Sequence, residues 1–381
     1  MNITTNQINV RDEETGLDIT INNQNFYGPA IPKQNAAYTE GNCTVSIAGN
    51  TKNITFSYPD APQEEYQANM WRVLDAFENR AWAPHNKGLQ SGYACVDKAF
   101  DGGIYPGFII VAGDSNLGKS AFVTNMVWNL IELNPEVYVM DISLDDAMPD
   151  KLSRMAACSG HLIINAVKTP LRYANYPSML IRRKNAIIKL RTLSDRYMPY
   201  DSSSISTDVE SIEEEITKKI EYFKTNNIKK KLVVCIDSFH DMTIGKAPSL
   251  SDKEKYDRLA QWCADIAIKY DITILCTGEL KKLNGMRRPQ MDDLRESVKI
   301  KYEAKAIMLV YNEVHYKGES ADVYFNINNN PHKQPIFEVH FAKNKFGTYK
   351  GRNFFEFYPD MSTMKECSDQ AQKTYSSIVY G

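Results

Sequence analysis

Residues 113–120 read Gly-Asp-Ser-Asn-Leu-Gly-Lys-Ser, and this octapeptide decides the fold because it satisfies the G-x-x-x-x-G-K-[ST] pattern of a phosphate-binding loop. Gly113 and Gly118 let the main chain wrap round an anion, so that consecutive N–H groups and the following helix N-terminus point at it. In such a loop Lys119 reaches the terminal phosphates and the Ser120 hydroxyl ligates Mg²⁺. The predicted nucleotide site also includes Ser115, Asn116, Leu117 and Ala121.

The sequence on either side of the octapeptide agrees with this prediction. Before it, residues 108–112 form a continuous apolar run, as a strand buried on both faces requires. After it, apolar residues recur at helical spacing, at Phe122, Met126, Val127, Leu130 and Ile131. A glycine-rich turn without a ligand would not explain a lysine and a serine placed together at the start of a helix. The flanks therefore favour a strand, a phosphate loop and a helix in succession.

Strand-like and helical stretches alternate from residue 88 onward. Apolar runs that predict strands lie at 136–144, 232–237, 272–276, 304–311, 336–342 and 353–358. Between the first two runs the chain reads as helical and polar to about residue 227. Alternation of this kind predicts an α/β fold with a doubly wound, mainly parallel sheet, whose ligands bind at the carboxyl ends of the strands. The phosphate loop falls at such an end.

The first sixty or so residues differ in composition from the rest. They are rich in Asn, Thr and Gly, and two alternating runs predict a hairpin over residues 43–58. We therefore expect residues 1–63 to form a small β-rich N-terminal appendage of unidentified role. Residues 64–87 contain a helix with one apolar stripe, and the α/β domain covers residues 88–360. Residues 361–381 are expected to form a loose tail.

The composition excludes several classes of protein. A net charge of −2 in 381 residues argues against a globally basic nucleic-acid binder, so any contact with DNA or RNA must come from local basic patches. The sequence has no apolar run long enough to span a bilayer and no export signal at its start, which predicts a cytoplasmic protein without membrane contact. Seven cysteines without a C-x-x-C pair predict reduced thiols and no zinc site.

Acidic residues follow three of the predicted strands, where phosphate chemistry would need them. Asp237 ends the 232–237 run at the position of an aspartate that holds Mg²⁺ through water, although it could instead cap the next helix. Asp145 follows the 136–144 run and could activate water, with a helix N-cap as the alternative. Glu279 is a candidate sensor of the γ-phosphate or, equally, a solvated loop residue. These positions predict that the protein binds ATP and Mg²⁺ and hydrolyses ATP.

A basic loop follows the third of these strands. It contains Lys281, Lys282, Arg287 and Arg288, close in sequence to the predicted γ-phosphate sensor. Such a loop suits contacts with a nucleic-acid backbone. Charged loops are as often merely solvated, and composition alone leaves both interpretations open.

Taken in order, these motifs resemble the RecA-type motor domain of the DnaB family of replicative helicases, from about residue 91 to residue 358. The matching segments are 91–97, 102–107, 143–146, 236–242, 288–297 and 342–347. The resemblance implies a RecA-like P-loop NTPase core that forms a ring, usually a hexamer, binds ATP between subunits and acts on single-stranded DNA.

The resemblance also implies roles that composition does not assign. Arg295, Glu296 and Ser297 fall in a pore-facing loop that contacts single-stranded DNA. Lys343 and Lys345 fall in the segment that supplies basic residues to a neighbouring subunit's γ-phosphate. The helix within residues 64–87 takes the place of a linker helix that docks on the adjacent subunit. Residues 1–63 do not resemble the family's helical N-terminal domain, and we expect any contact with other replication proteins to be made there.

The departures from the family pattern fall near the expected γ-phosphate. Asp145 replaces a glutamate, Glu279 a glutamine and Lys345 an arginine. Lysine lacks the planar fork of arginine, which predicts weaker stabilisation of the transition state. The leading hypothesis is a ring-forming DNA helicase or translocase with reduced turnover. Its rivals are a RecA-like or clock-protein-like ATPase that uses ATP as an assembly switch, and a nucleotide-binding structural protein with weak turnover.

Overall fold

The computed structural model describes residues 7–11, 18–23, 40–47, 50–57, 65–81, 88–245, 250–281, 286–294, 298–328 and 330–381. The chain divides into two compact units, Met1–Lys87 and Gly88–Gly381. Among the residues described, none of the helices is both long and apolar enough to cross a membrane.

The first unit contains an antiparallel sheet and one helix. Its strands are β1 (Gln7–Arg11), β2 (Asp18–Asn23), β3 (Glu40–Ile47) and β4 (Asn50–Ser57), and each pairs with the next along the chain. The pairing of β3 with β4 confirms the predicted hairpin. Helix α1 (Glu65–Ala81) confirms the predicted helix, and its apolar side chains Met70, Val73, Leu74 and Phe77 are exposed.

The second unit alternates strands and helices. Its strands are β5 (Gly107–Gly113), β6 (Val137–Ser143), β7 (Tyr197–Asp201), β8 (Lys231–Asp237), β9 (Thr273–Glu279), β10 (Ala306–Asn312), β11 (Tyr324–Phe325), β12 (Gln334–Asn344), β13 (Arg352–Tyr358) and β14 (Thr363–Glu366). Its helices are α2 (Ala94–Ala99), α3 (Lys119–Leu133), α4 (Met148–Gly160), α5 (Ile164–Lys168), α6 (Pro177–Thr192), α7 (Val209–Thr225), α8 (Asp252–Tyr270), α9 (Val298–Glu303), α10 (Glu313–Lys317) and α11 (Asp369–Tyr380).

The strands of the second unit form one mixed sheet. Its order is β14-β13-β12-β10-β5-β9-β8-β6-β7, with β11 paired to β12. Every pairing from β10 to β7 is parallel, whereas β12, β13 and β14 form an antiparallel extension. The predicted α/β fold with a mainly parallel sheet is confirmed.

Both faces of the sheet are buried, because side chains alternate along each strand. In β5, Ile109 and Val111 face a core shared with α2 and α3. Phe108, Ile110 and Ala112 face a second core shared with α7 and α8. None of these five side chains is more than 1% exposed. Helices on both faces make the sheet doubly wound and explain why the run before the phosphate loop reads as continuously apolar.

Two predictions about the chain's organisation are wrong. The final residues form α11 rather than a loose tail, because Ala371, Tyr375 and Val379, spaced four apart, pack on a cluster that contains Phe354. The region predicted as helical and polar up to residue 227 contains a strand, β7, which pairs with β6 at the edge of the sheet. An edge strand buries less surface and tolerates Pro199, so the apolar signal is weak.

Candidate nucleotide site

The phosphate loop connects β5 to α3 at the carboxyl edge of the parallel strands. Gly118 has a φ of +108°, and a Cβ at Gly113 would lie 2.4 Å from the side chain of Val310, so both positions require glycine. Leu117 is 1% exposed and anchors the loop on the core, whereas Ser115 and Asn116 are exposed. The loop is thus held by an apolar anchor beneath an exposed polar tip, with Ser120 and the buried Ala121 in the first turn of α3.

Lys119 begins α3 and donates a hydrogen bond from Nζ to the carbonyl oxygen of Asp114 at 2.8 Å. Burial lowers the pKa of this lysine below its ordinary value. The charges of Glu279, Asp237, Asp114 and Asp145 oppose that shift, in this order of size. The fold therefore brings together the lysine and the three carboxylates that were predicted from separate strand ends.

Asp237 is 4% exposed and lies at the end of β8, beside Ser143 of β6. Its Oδ1 accepts a hydrogen bond from Oγ1 of Thr277, and its Oδ2 lies 4.0 Å from Nζ of Lys151. The short 3-10 helix Phe239–Asp241 has Ser238 at its N-cap and α8 has Ser251, so Asp237 caps neither.

The residues present fit a magnesium ion bound together with a nucleotide. The Asp237 carboxylate and the Ser120 hydroxyl are hard oxygen donors, the type that Mg²⁺ prefers. Across the described ranges of the chain, there is no cluster of three or more His, Cys, Asp or Glu side chains that could hold a metal ion. Phosphate oxygens and water would therefore complete the coordination, as is usual for Mg²⁺ at nucleotide sites.

Asp145 lies in the segment after β6, next to the end of β8. Its main-chain N–H donates to the carbonyl oxygen of Asp237 at 3.3 Å, and that of Leu144 donates to the same oxygen at 2.6 Å. Helix α4 begins after Ala147 without a side-chain cap, so Asp145 is not its N-cap. Partial burial raises the pKa of Asp145, and the neighbouring Asp146 adds to the shift. The residue as a whole is still exposed, so a water molecule can reach it.

Glu279 is the last residue of β9 and pairs in register with Gly113, the first residue of the phosphate loop. Its main-chain N–H donates to Nδ1 of His240 at 3.1 Å. This register places Glu279 directly beside the loop, on the side toward β8. Its role as a phosphate sensor stays a prediction.

Sequence reasoning missed a buried polar cluster behind Asp237. Lys151 of α4 is 1% exposed, and its Nζ contacts Oδ1 of Asp141 at 2.6 Å. The other Asp141 oxygen accepts from Oη of Tyr197 at 2.7 Å. Burial lowers the pKa of Lys151, but the opposing charges, led by that of Asp141, outweigh it and raise the pKa overall. The sequence did hold one signal for this cluster: Asp141 is a charged residue in the middle of an apolar strand, and such a group requires a buried partner.

Arg288, one of the predicted DNA contacts, is engaged in ion pairs within the chain. Arg288 donates from Nε and Nη2 to the fully buried carboxylate of Glu338 at 2.8 and 2.7 Å, and from Nη2 to Glu313 at 3.1 Å. These ion pairs hold its guanidinium against the protein and anchor the basic loop, and its contact with DNA stays a prediction. Arg287 pairs with Asp293 on the surface, with its side chain 48% exposed.

The remaining predicted nucleic-acid contacts are only partly visible. Lys281 is exposed at the other end of the loop. Lys282, Arg295, Glu296 and Ser297 lie outside the described residues. The part of the loop that the structure describes, residues 286–294, is closed at its base by pairing of Leu280 with Leu294.

The segment that contains Lys343 and Lys345 lies toward the other end of the strands, where the parallel strands begin. Its Asn344 pairs with Ala306, the first residue of β10, and Ala306 pairs with Ile109 of β5. The phosphate loop begins at Gly113, about 13 Å of strand farther on. Neither lysine is therefore positioned to act on a nucleotide held by the phosphate loop of the same chain.

Lys343 also contributes to the fold. Its Nζ donates to the carbonyl oxygen of Tyr302 at 2.8 Å and to that of Lys301, at the C-terminal end of α9. Burial lowers its pKa to about 8, and the charge of Lys345 adds to this shift. Lys345 itself is exposed.

Comparison with known proteins agrees with this geometry. Residues 88–365 match the model of the DnaB-like helicase C terminal domain. The chain is 24% identical over 283 residues to a probable replicative DNA helicase of Trieres chinensis, covering 72% of this chain and 57% of that protein. It is 26% identical over 296 residues to the replicative DNA helicase DnaB of Mycoplasma pneumoniae, covering 73% and 57% respectively.

A solved structure gives the same fold. A DnaB-like replicative helicase, determined with its interactions with primase, superposes with a TM-score of 0.62 at 20% identity and covers 78% of this chain and 66% of that one. The matches to the curated relatives span about half of those proteins' own length.

Proposed function

This chain belongs to the DnaB-like helicase C-terminal domain family, and from that premise we propose that it is the ATP-hydrolysing motor of a ring-forming DNA helicase or translocase. The observation that carries the proposal is the convergence of Lys119 with Asp145, Asp237 and Glu279 at one edge of the sheet. A phosphate cradle, a metal-binding carboxylate and a carboxylate able to accept a proton are the parts that phosphoryl transfer to water requires.

Each residue has a distinct part in this proposal. Lys119 binds the β- and γ-phosphates, and Ser120 with Asp237 holds Mg²⁺. When bound, the ion neutralises charge that develops on the phosphate oxygens. Asp145 orients the attacking water and accepts its proton, a role that its raised pKa favours. Glu279 contacts the γ-phosphate through this water or directly.

The separation of the two predicted catalytic lysines from the phosphate loop supports assembly. Lys343 and Lys345 lie too far from the phosphate loop of their own chain to compensate the charge of its nucleotide. A second copy that presents this edge to the loop would supply both lysines, in a head-to-tail contact that closes into a ring. We therefore propose a homo-oligomer, with a hexamer as the expected size, in which ATP is bound between neighbouring chains.

Single-stranded DNA is the proposed substrate of this assembly. Lys281 and Arg287 are exposed on the basic loop that follows β9, the strand that ends at Glu279. Together with Lys282 and residues 295–297, they would contact the phosphate backbone rather than the bases. The N-terminal unit is the proposed site for contacts with other replication proteins.

One experiment separates this proposal from its rivals. ATP turnover is measured with and without oligo-dT, and light scattering gives the mass with and without ATP. We expect oligo-dT to stimulate turnover, Lys119→Ala to abolish it, and Lys98→Ala, an exposed lysine on α2, to leave it unchanged. Assembly by ATP without stimulation would favour the assembly switch. ATP binding with turnover near the uncatalysed level would favour the structural protein.

A further inference from the structure

Two stacked tyrosines join the phosphate loop to the basic loop. Tyr316 of α10 donates from Oη to Oδ2 of Asp114, the second residue of the phosphate loop, at 3.2 Å. Its ring stacks on that of Tyr311, with centroids 5.1 Å apart and planes 15° from parallel. Tyr311 is 1% exposed, and its Oη donates to the carbonyl oxygen of Met286 at 2.7 Å. These contacts form one continuous connection between the two loops.

Arg288 fixes the basic loop to the same ring. Its guanidinium carbon lies 5.1 Å from the centre of the Tyr311 ring, while its nitrogens bind Glu338 and Glu313. The two carboxylates and Tyr311 are each at most 2% exposed. Because close-packed groups of this kind leave no space to absorb a displacement, a shift of Tyr311 has to move the 286–294 loop.

Asp114 is the residue that a bound phosphate would disturb. Its Oδ1 accepts from the main-chain N–H of Ser115 at 2.8 Å, and its main-chain oxygen accepts from Lys119. Phosphates in such loops take their hydrogen bonds from the same lysine and the same main-chain N–H groups. A phosphate therefore competes with Asp114 for both donors and repels its carboxylate.

We propose that Tyr316 and Tyr311 are positioning residues that couple phosphate binding to the placement of the 286–294 loop. Burial raises the pKa of Tyr316, so its phenol remains a hydrogen-bond donor at physiological pH. The inference rests on the proposed function, because it requires a nucleotide at one loop and single-stranded DNA at the other. By linkage, DNA changes the nucleotide affinity by the same factor as the nucleotide changes the DNA affinity.

The test measures how much DNA changes the nucleotide affinity. The dissociation constant of a fluorescent non-hydrolysable ATP analogue is determined for the full chain with and without oligo-dT. The readout is the ratio of the larger constant to the smaller one. Tyr316→Phe removes one hydroxyl and keeps the stack, so we expect the ratio to fall about ten-fold or more, as expected for the loss of one hydrogen bond to a charged acceptor. Tyr375→Phe is the matched control. It removes a hydroxyl of α11 that donates to the carbonyl oxygen of Tyr324 at 2.9 Å, a contact that includes neither loop.

A double-variant cycle tests whether the effect passes through this contact. If it does, Asp114→Ala combined with Tyr316→Phe gives the same ratio as either single variant. An unchanged ratio in Tyr316→Phe, or an equal fall in Tyr375→Phe, would overturn the coupling and leave the proposed function intact. A wild-type chain that binds both ligands independently would do the same. Failure of the wild type to bind oligo-dT would overturn the proposed function and the coupling with it.

Discussion

The Lys151→Met variant is expected to lose about 3–5 kcal/mol of unfolding free energy at pH 7, because it breaks a buried ion pair and leaves the partner carboxylate in place. Lys151 is 1% exposed, and its Nζ lies 2.6 Å from Oδ1 of Asp141, which has no exposed surface. Methionine occupies nearly the volume of the lysine stem, so the substitution removes a charge with little change in packing.

Urea unfolding of the full chain at pH 7, followed by tryptophan fluorescence, measures this loss. Asp141→Asn combined with Lys151→Met removes both charges and keeps an oxygen acceptor for Tyr197, so it is expected to lie within about 2 kcal/mol of the wild type. A loss below about 1 kcal/mol in Lys151→Met would refute the contribution of this ion pair to stability. A double variant no more stable than the single one refutes it as well.

Three further predictions concern the site and its supports. ATP turnover should rise with pH as Asp145, whose pKa is raised, loses its proton, and should fall above about pH 8, where Lys343 loses its proton. In a pH profile of turnover, Lys343→Arg should shift only the decrease at high pH. Arg288→Met should lower the unfolding free energy by about 1–3 kcal/mol, because the buried Glu338 carboxylate loses its closest cation and keeps only Arg352 at 3.6 Å, while Glu313 keeps Lys317. Lys281→Ala should leave stability unchanged and reduce the salt slope of oligo-dT binding by about 0.7. Gly118→Ala should cost about 1–3 kcal/mol and weaken nucleotide binding, since its φ is positive and an aromatic ring lies 2.9 Å from the new methyl; thermal unfolding and nucleotide titration measure both.

Much of the candidate site could be predicted from the sequence, because parallel strands end at the same edge of a sheet. Asp145, Asp237 and Glu279 each follow an apolar run, and parallel strands end at one edge of a sheet, so their proximity to Lys119 could be predicted without coordinates. The glycines of the phosphate loop are equally visible, because the backbone conformation restricts the residue type locally.

Other residues depend on partners that the order of the strands brings close. In the sequence, Arg288 is one more basic residue of a loop. Its ion pair with Glu338, which lies 50 residues farther along the chain, is visible only in the structure. Lys151 likewise reads as an exposed lysine until α4 is placed over Asp141. The helix α11 was missed for a different reason. Its apolar residues Ala371, Tyr375 and Val379 have helical spacing in the sequence, but the pattern extends over only three positions.

The separation of the phosphate loop from residues 343–345 also governs how many complete sites an assembly contains. In the proposed assembly, each contact between copies would unite one phosphate loop with one pair of lysines and would leave a single loop and a single pair at the two ends of an open row. An open row of n copies thus has n − 1 complete sites, and a closed ring has n. Closure adds a site without adding a chain, so turnover per chain would report whether the ring is shut.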